Sequence, residues 1–146
     1  MARIEPGGLF GEAFACTGIE KFPFSVIAAE PSDVLFVKCR HILSPCPSVC
    51  AFHATLIKNL TLILATKNIA LAQKLKHLTR PTTREKLLSY LSEQAQLTHS
   101  KSFDIPFNRE QLADYLSVDR SALSAVLSHL KKDKLLHYHK NHFELR

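Results

Sequence analysis

The chain has 146 residues, 46% of them hydrophobic and 22% charged, which suits one domain or two small ones around a globular core and excludes a disordered protein. No apolar run approaches the ~18 residues of a membrane span, and the start MARIEPGGLF lacks the charged and apolar regions of a signal peptide, so a cytoplasmic location is expected. The net charge of +6 is uneven: residues 1–66 hold five Lys and Arg against five Asp and Glu, residues 67–146 hold 14 against eight, and a basic half is what phosphate neutralisation would need, although it equally serves solubility.

Pro6-Gly7-Gly8 signals a tight turn before Leu9-Phe10-Gly11-Glu12. Ser25 to Ala29 and Asp33 to Val37, rich in Val, Ile and Phe and separated by Glu30-Pro31-Ser32, predict two strands. Cys39, Cys46, Cys50 and His53 follow, the last three spaced C-x-x-x-C-x-x-H. Zinc takes such ligands at a tetrahedral site, and a thiol-rich patch can equally sense oxidation or carry an iron–sulfur cluster. Cysteine is also readily buried as a small apolar residue, and the helix here is largely apolar. No cofactor is therefore expected, with Cys46, Cys50 and His53 as the ligands should a metal or cluster be held. Disulfides are not expected in a cytoplasmic chain.

From about Val49 to Leu78 the pattern is one long helix, in which Ile57, Leu64, Leu71 and Leu78 recur every seven residues with Leu56, Ile63, Leu60 and Leu75 beside them. Such rows make a seam for a second helix. About thirty residues would span about 45 Å, too long for a small domain to cover. Lys67, Asn68 and Lys74 interrupt the seam, so the alternative is a single amphipathic helix. Pro81 places a hinge at Thr79 to Arg84, because it disfavours helical geometry in the residue before it yet is welcome in a first turn. Another helix is expected over Arg84 to Gln94, with Leu87, Leu88 and Leu91 inward. His99 to Pro106 predicts a polar loop.

Asn108 to Asp133 has the shape of a helix-turn-helix. Asn108 and Gln111 form a variant capping box, and Leu112, Ala113 and Leu116 the inner face of the first helix. Asp119 starts the second, since its carboxylate accepts from orphan amides and complements the dipole. Behind it Leu123, Val126, Leu127 and Leu130 fall at i, i+3, i+4 and i+7. The exposed face carries Arg120, Ser121, Ser124, Ala125 and Ser128, small groups and a cation that let a helix approach a duplex groove. Leu136, Tyr138, Phe143 and Leu145 then predict two strands around Lys140-Asn141, a wing.

These residues resemble the Crp/Fnr family of bacterial transcription regulators, whose DNA-binding helix-turn-helix is similar to NREQLADYLSVDRSALSAVL followed by LKKDKLL in order, spacing and wing. Ser117 stands where that turn usually carries glycine, at a cost of ~1 kcal/mol in a left-handed conformation. Ala125 stands where a long polar base reader is usual, and Lys134 ends a helix where glycine or asparagine is easier. PGGLFGE is similar to the phosphate-loop motif of the family's cyclic-nucleotide-binding β-roll. The resemblance thus implies an α+β fold: the C-terminal half of a β-roll over residues 1–47, a dimerisation helix and hinge over 48–79, and a winged helix-turn-helix domain over 80–146. Strands on the far side of the PGGLFGE turn have no counterpart in the chain, so an N-terminally truncated regulator is expected.

In family members that bind cyclic AMP, a glycine-glutamate pair contacts the ribose and an arginine-serine pair holds the phosphate. Gly11, Glu12 and Ser25 match as effector-binding residues, but Phe24 stands at the arginine, and the phosphate would lose a charge-assisted contact of ~1.5–3 kcal/mol. Cyclic AMP is not expected to bind, and Gly11-Glu12 can instead shape the turn and cap a short helix. The implied function is sequence-specific DNA binding by a homodimer whose recognition helices enter successive major grooves, with half-sites ~34–36 Å apart. Arg120 is expected to read guanine, Ser121, Ser124 and Ala125 to line the groove, and Asn108, Lys131, Lys132 and Lys140 to contact phosphates. Expected partners are double-stranded DNA, a second copy of the chain and RNA polymerase. The alternative is a metal- or redox-sensing module whose helix-turn-helix contacts a protein. No enzyme is expected, because nucleophile, base and orienting group form no motif, and His137, His139 and His142 have no carboxylate or cysteine paired with them by spacing.

Overall fold

The computed structural model describes residues 4–19, 21–44 and 50–146, and the chain divides into two compact units, residues 1–68 and 69–146, with the boundary inside a long helix. In the first unit α1 (Glu12–Thr17) is short because a glycine at each end takes a left-handed conformation, Gly11 at φ 75° and Gly18 at φ 73°, which residues bearing a Cβ adopt only at a cost. A Cβ on Gly11 would also come within 3.1 Å of the Phe22 ring. Phe14, Phe22 and Phe24 form a triangle of tilted and edge-on rings with centroids 5.4–6.0 Å apart. Then come α2 (Cys39–Leu43) and α3 (Ala51–Leu78), a helix of 28 residues that at 1.5 Å per residue is about 42 Å long.

The two strands expected over 25–29 and 33–37 are not formed: these residues carry no regular secondary structure, and Leu35 and Phe36 are 87% and 89% exposed. Strand propensity acts only through pairing, since an unpaired segment leaves its amides and carbonyls to water. No ladder partner lies beside either segment among the described residues. Over residues 4–19 and 21–44 the chain forms two short helices and irregular segments. Of the sevenfold rows on α3, only Leu60 is buried. Ile57, Leu64 and Leu78 are half-buried, whereas Leu71 and Leu75 are exposed together with Phe52, Leu62 and Ile69. No helix of the described residues is long and apolar enough to cross a membrane.

The second unit comprises the end of α3, α4 (Thr83–Thr98), β1 (Ser102–Asp104), α5 (Arg109–Leu116), α6 (Arg120–Lys132), β2 (Leu136–His139) and β3 (His142–Leu145). Thr82 caps α4 by accepting from the Glu85 amide at 3.1 Å. The helix runs beyond the expected Gln94 to Thr98, and His99, left-handed at φ 50°, caps its end. The strands form an antiparallel sheet of order β1-β3-β2, in register through Phe103, Phe143 and Tyr138. Leu87 and Leu91 of α4, Leu112 and Leu116 of α5, Leu123, Leu127 and Leu130 of α6, and Phe143 of β3 share one core with no exposed surface. Helices and a small sheet make the fold α+β.

β1 replaces the polar loop expected over 99–106. Its signal was the alternation of buried Phe103 and Ile105 with exposed Ser102 and Asp104, too short to stand out until β3 supplies a partner.

Candidate nucleic-acid interface

The start of α5 is a complete capping box: Asn108 Oδ1 accepts from the Gln111 amide at 2.9 Å, and Gln111 Oε1 accepts from the Asn108 amide at 2.9 Å. Its end is a left-handed Ser117 at φ 50°, with the Val118 amide donating back to Ala113 O at 3.0 Å, so the serine holds a turn for which glycine is the easier residue. Asp119 starts α6. Its carboxylate accepts from the Ser121 hydroxyl and from the amides of Ser121 and Ala122, at 2.8 and 3.0 Å for the amides. α6 ends in the same manner as α5, with Lys134 at φ 58° and the Leu135 amide bonded to Leu130 O at 3.0 Å.

These bonds hold the Asp119 carboxyl below its ordinary range, the Ser121 hydroxyl contributing most and the Ala122 and Ser121 amides next. A lowered carboxylate value means that the cap's contribution is present above the unfolded value and is lost as pH falls through the lower, folded one. Acid titration of α6 hydrogen exchange should therefore show protection falling below about pH 4, and Asp119→Asn, which still caps but does not titrate, should flatten that fall. An unchanged acid profile in Asp119→Asn would remove Asp119 as its cause.

With its buried stripe seated on α4 and α5, α6 turns Arg120, Ser121, Ala125 and Ser128 outward, and Ser124 is half-exposed. Ser124 Oγ donates to Arg120 O at 2.9 Å and Ser128 Oγ to Ser124 O at 3.0 Å. These hydroxyls thus face outward with their protons turned inward and their oxygens able to accept. Arg120 stands on the first turn with its guanidinium exposed.

Lys131 Nζ lies 5.4 Å from the centre of the Tyr138 ring and Lys132 is exposed on the same last turn. Lys140 sits left-handed, φ 54°, at the tip of the β2–β3 hairpin. Arg109, which sequence inspection passed over, ties that tip down: its guanidinium is 5.0 Å from the Tyr138 ring and Nη2 donates to Lys140 O at 3.4 Å. Burial lowers the Arg109 guanidinium below its usual value, with Tyr138 opposing. A cation opening a capped helix was its only trace in the sequence. Asn141 Nδ2 donates to Ile105 O at 3.2 Å, so the hairpin is fastened on both sides. Arg109 and Lys131 are thereby gathered around Tyr138, and Arg109 also holds the Lys140 carbonyl at the hairpin tip. His142 finds a carboxylate after all, Nδ1 lying 3.0 Å from Asp104 Oδ1 across the β1–β3 pair.

Also missed was His77 near the end of α3. Its ring is fully buried in the second unit, with Nδ1 2.9 Å from Ser89 Oγ and Nε2 2.8 Å from Glu93 Oε2. Tyr90 meets it edge-on with centroids 5.7 Å apart.

In the first unit, Glu12 is engaged by Lys67 of α3, whose Nζ lies 2.8 Å from Oε1 and donates to Leu9 O at 2.6 Å. Gly11 forms the left-handed start of α1, and Ser25 is exposed. Cys46 lies outside the described residues. The Cys50 sulfur accepts from the His53 amide at 3.4 Å, and His53 Nε2 lies 2.5 Å from Ile42 O. That ring nitrogen donates, since a carbonyl oxygen can only accept. Among the described residues, no group of three or more His, Cys, Asp or Glu is placed to hold a metal ion.

Compared with known protein families, residues 85–146 match the Crp-like helix-turn-helix domain, a domain of DNA-binding transcription regulators. No curated protein matches the chain.

Proposed function

We propose that this chain, whose residues 85–146 are a Crp-like helix-turn-helix domain, is a sequence-specific regulator of the Crp/Fnr type that reads the major groove with α6 and steadies itself on phosphates with a wing, the β2–β3 hairpin. The observation that carries the reading is the outward face of α6, where Arg120 and small side chains stand above a fully buried leucine stripe. An arginine on such a face can hold guanine O6 and N7 together, and Ala125 can meet a thymine methyl. Lys131, Lys132 and Lys140, with the Asn108 amide group, supply the sequence-independent contacts. The exposed apolar side chains of α3, Leu71 and Leu75 among them, support a second copy of the chain as partner. Paired recognition helices would then meet half-sites ~34–36 Å apart.

DNA fragments selected from a random pool, then titrated at several salt concentrations, test the reading. Arg120→Ala should weaken binding to the selected site by ~1–3 kcal/mol and leave non-specific binding nearly unchanged. An unchanged ratio of specific to non-specific affinity would remove α6 as the reading helix.

A further inference from the structure

We propose that Cys16 and Cys39 form a reversible oxidation site, which a low-molecular-weight anionic disulfide closes into an intramolecular disulfide bond. Cys16 lies in α1 and Cys39 opens α2, and the two sulfurs are 2.9 Å apart as thiols in hydrogen-bond contact. A disulfide bond is ~2.05 Å long, so the pair closes by a movement of under about 1 Å. The irregular chain between them would become a closed loop.

The two cysteines are unequal, and that sets the order of events. Cys39 is buried, whereas Cys16 is half-buried and lines an open depression with Ala15, Gly18, Arg40, Leu43 and Ser44. The reagent therefore reaches Cys16 first, and the Arg40 guanidinium in that depression suits a reagent bearing carboxylates. The Cys16 thiolate attacks one sulfur of the reagent and expels the other as thiolate, leaving a mixed disulfide. The Cys39 thiolate then attacks Cys16 Sγ and expels the second half of the reagent. The protein gives up two electrons and two protons, and the reagent leaves as two thiols.

Hydrogen bonding to Cys39, then burial, with the Cys39 and Glu12 charges adding, pushes the Cys16 thiol up to about 11. Arg40, on α2, is the cation of the same depression. The pair consequently reacts slowly at neutral pH, and the first step should quicken roughly tenfold per pH unit between about 7 and 9, as the thiolate fraction grows. Such a pair suits a chain in a reducing compartment, where disulfides that form are transient.

The test uses the full chain with Cys46→Ser and Cys50→Ser, leaving only the proposed pair, exposed to oxidised glutathione at about pH 9, where the thiolate fraction is larger, quenched in acid, alkylated and mapped by peptide mass. The expected product is a Cys16–Cys39 cross-link within one chain, reversed by reduced glutathione, with no glutathione retained. Adding Cys39→Ser should trap glutathione on Cys16, and adding Cys16→Ser should slow modification of Cys39 at least tenfold. The same reaction in urea separates native proximity from chance, since the unfolded chain should give a mixture with retained glutathione. Cross-links between chains, glutathione retained on Cys16 while Cys39 is present, or full alkylation of both thiols would each overturn the proposal.

Discussion

Leu127→Ala is expected to destabilise the second unit by about 2–5 kcal/mol, the range for removing a fully buried leucine from a core that relaxes only in part. Leu127 has no exposed surface and stands midway along the buried stripe of α6, between Leu123 and Leu130. Its loss takes packing from the same helix that presents Arg120, so hydrogen exchange in α5 and α6 should rise, and affinity for selected and random DNA should fall together. Leu127→Met, which conserves volume, should cost less than about 1.5 kcal/mol and leave DNA binding intact. Urea denaturation followed with exchange at α6 amides checks both. A loss under about 1 kcal/mol for the alanine variant would place Leu127 outside a packed core.

His77→Ala should have an effect of similar size, by a different route. The imidazole bridges Ser89 and Glu93 through both ring nitrogens, and Glu93 is only 12% exposed, with Lys76 Nζ 3.6 Å from its other oxygen. A neutral ring satisfies both partners, Nε2–H donating to the carboxylate and Nδ1 accepting from the hydroxyl. Removing it leaves a cavity and takes one donor from the carboxylate, and a hydrogen bond to a charged group is worth about 1.5–3 kcal/mol, with the cavity adding to the loss. In Glu93→Ala the ring is the orphan. A double-mutant cycle on His77→Ala and Glu93→Ala should return a coupling of roughly 0.5–3 kcal/mol, with exchange over Leu71 to Leu78 rising in both single variants. Strictly additive energies would mean that the two side chains act separately.

The helix-turn-helix was legible in the sequence because its information is local. Asn108, Gln111 and Asp119 cap the backbone within three residues of themselves, and the stripe of α6 repeats at helical spacing. The left-handed Ser117 and Lys134 were also foreseen, Ser117 from the resemblance to a turn that usually carries glycine and Lys134 from its helix-ending position. What escaped was set by distant partners. β1 exists because β3 lies beside Phe103, and His77 became a core residue because α4 brings Ser89 and Glu93 to it. The same dependence misled in the opposite direction over 25–37, where strand-forming residues found no neighbour. Glu12 likewise has a partner that spacing could not show, Lys67, 55 positions away.

Residues 69–146 contain no glycine, although His99, Ser117, Lys134 and Lys140 all hold left-handed backbone. At each of these joints a side chain strains the folded form by roughly 1 kcal/mol, while it also stiffens the unfolded chain, an effect of about 0.4–1 kcal/mol in the other direction. The strain is the larger of the two, so each corner favours glycine by about 1 kcal/mol or less, a difference that a fully buried core can carry. Drift can then erase glycine punctuation from the sequence of such a domain while its turns persist, and a search that relies on that punctuation would pass over relatives whose shape is unchanged.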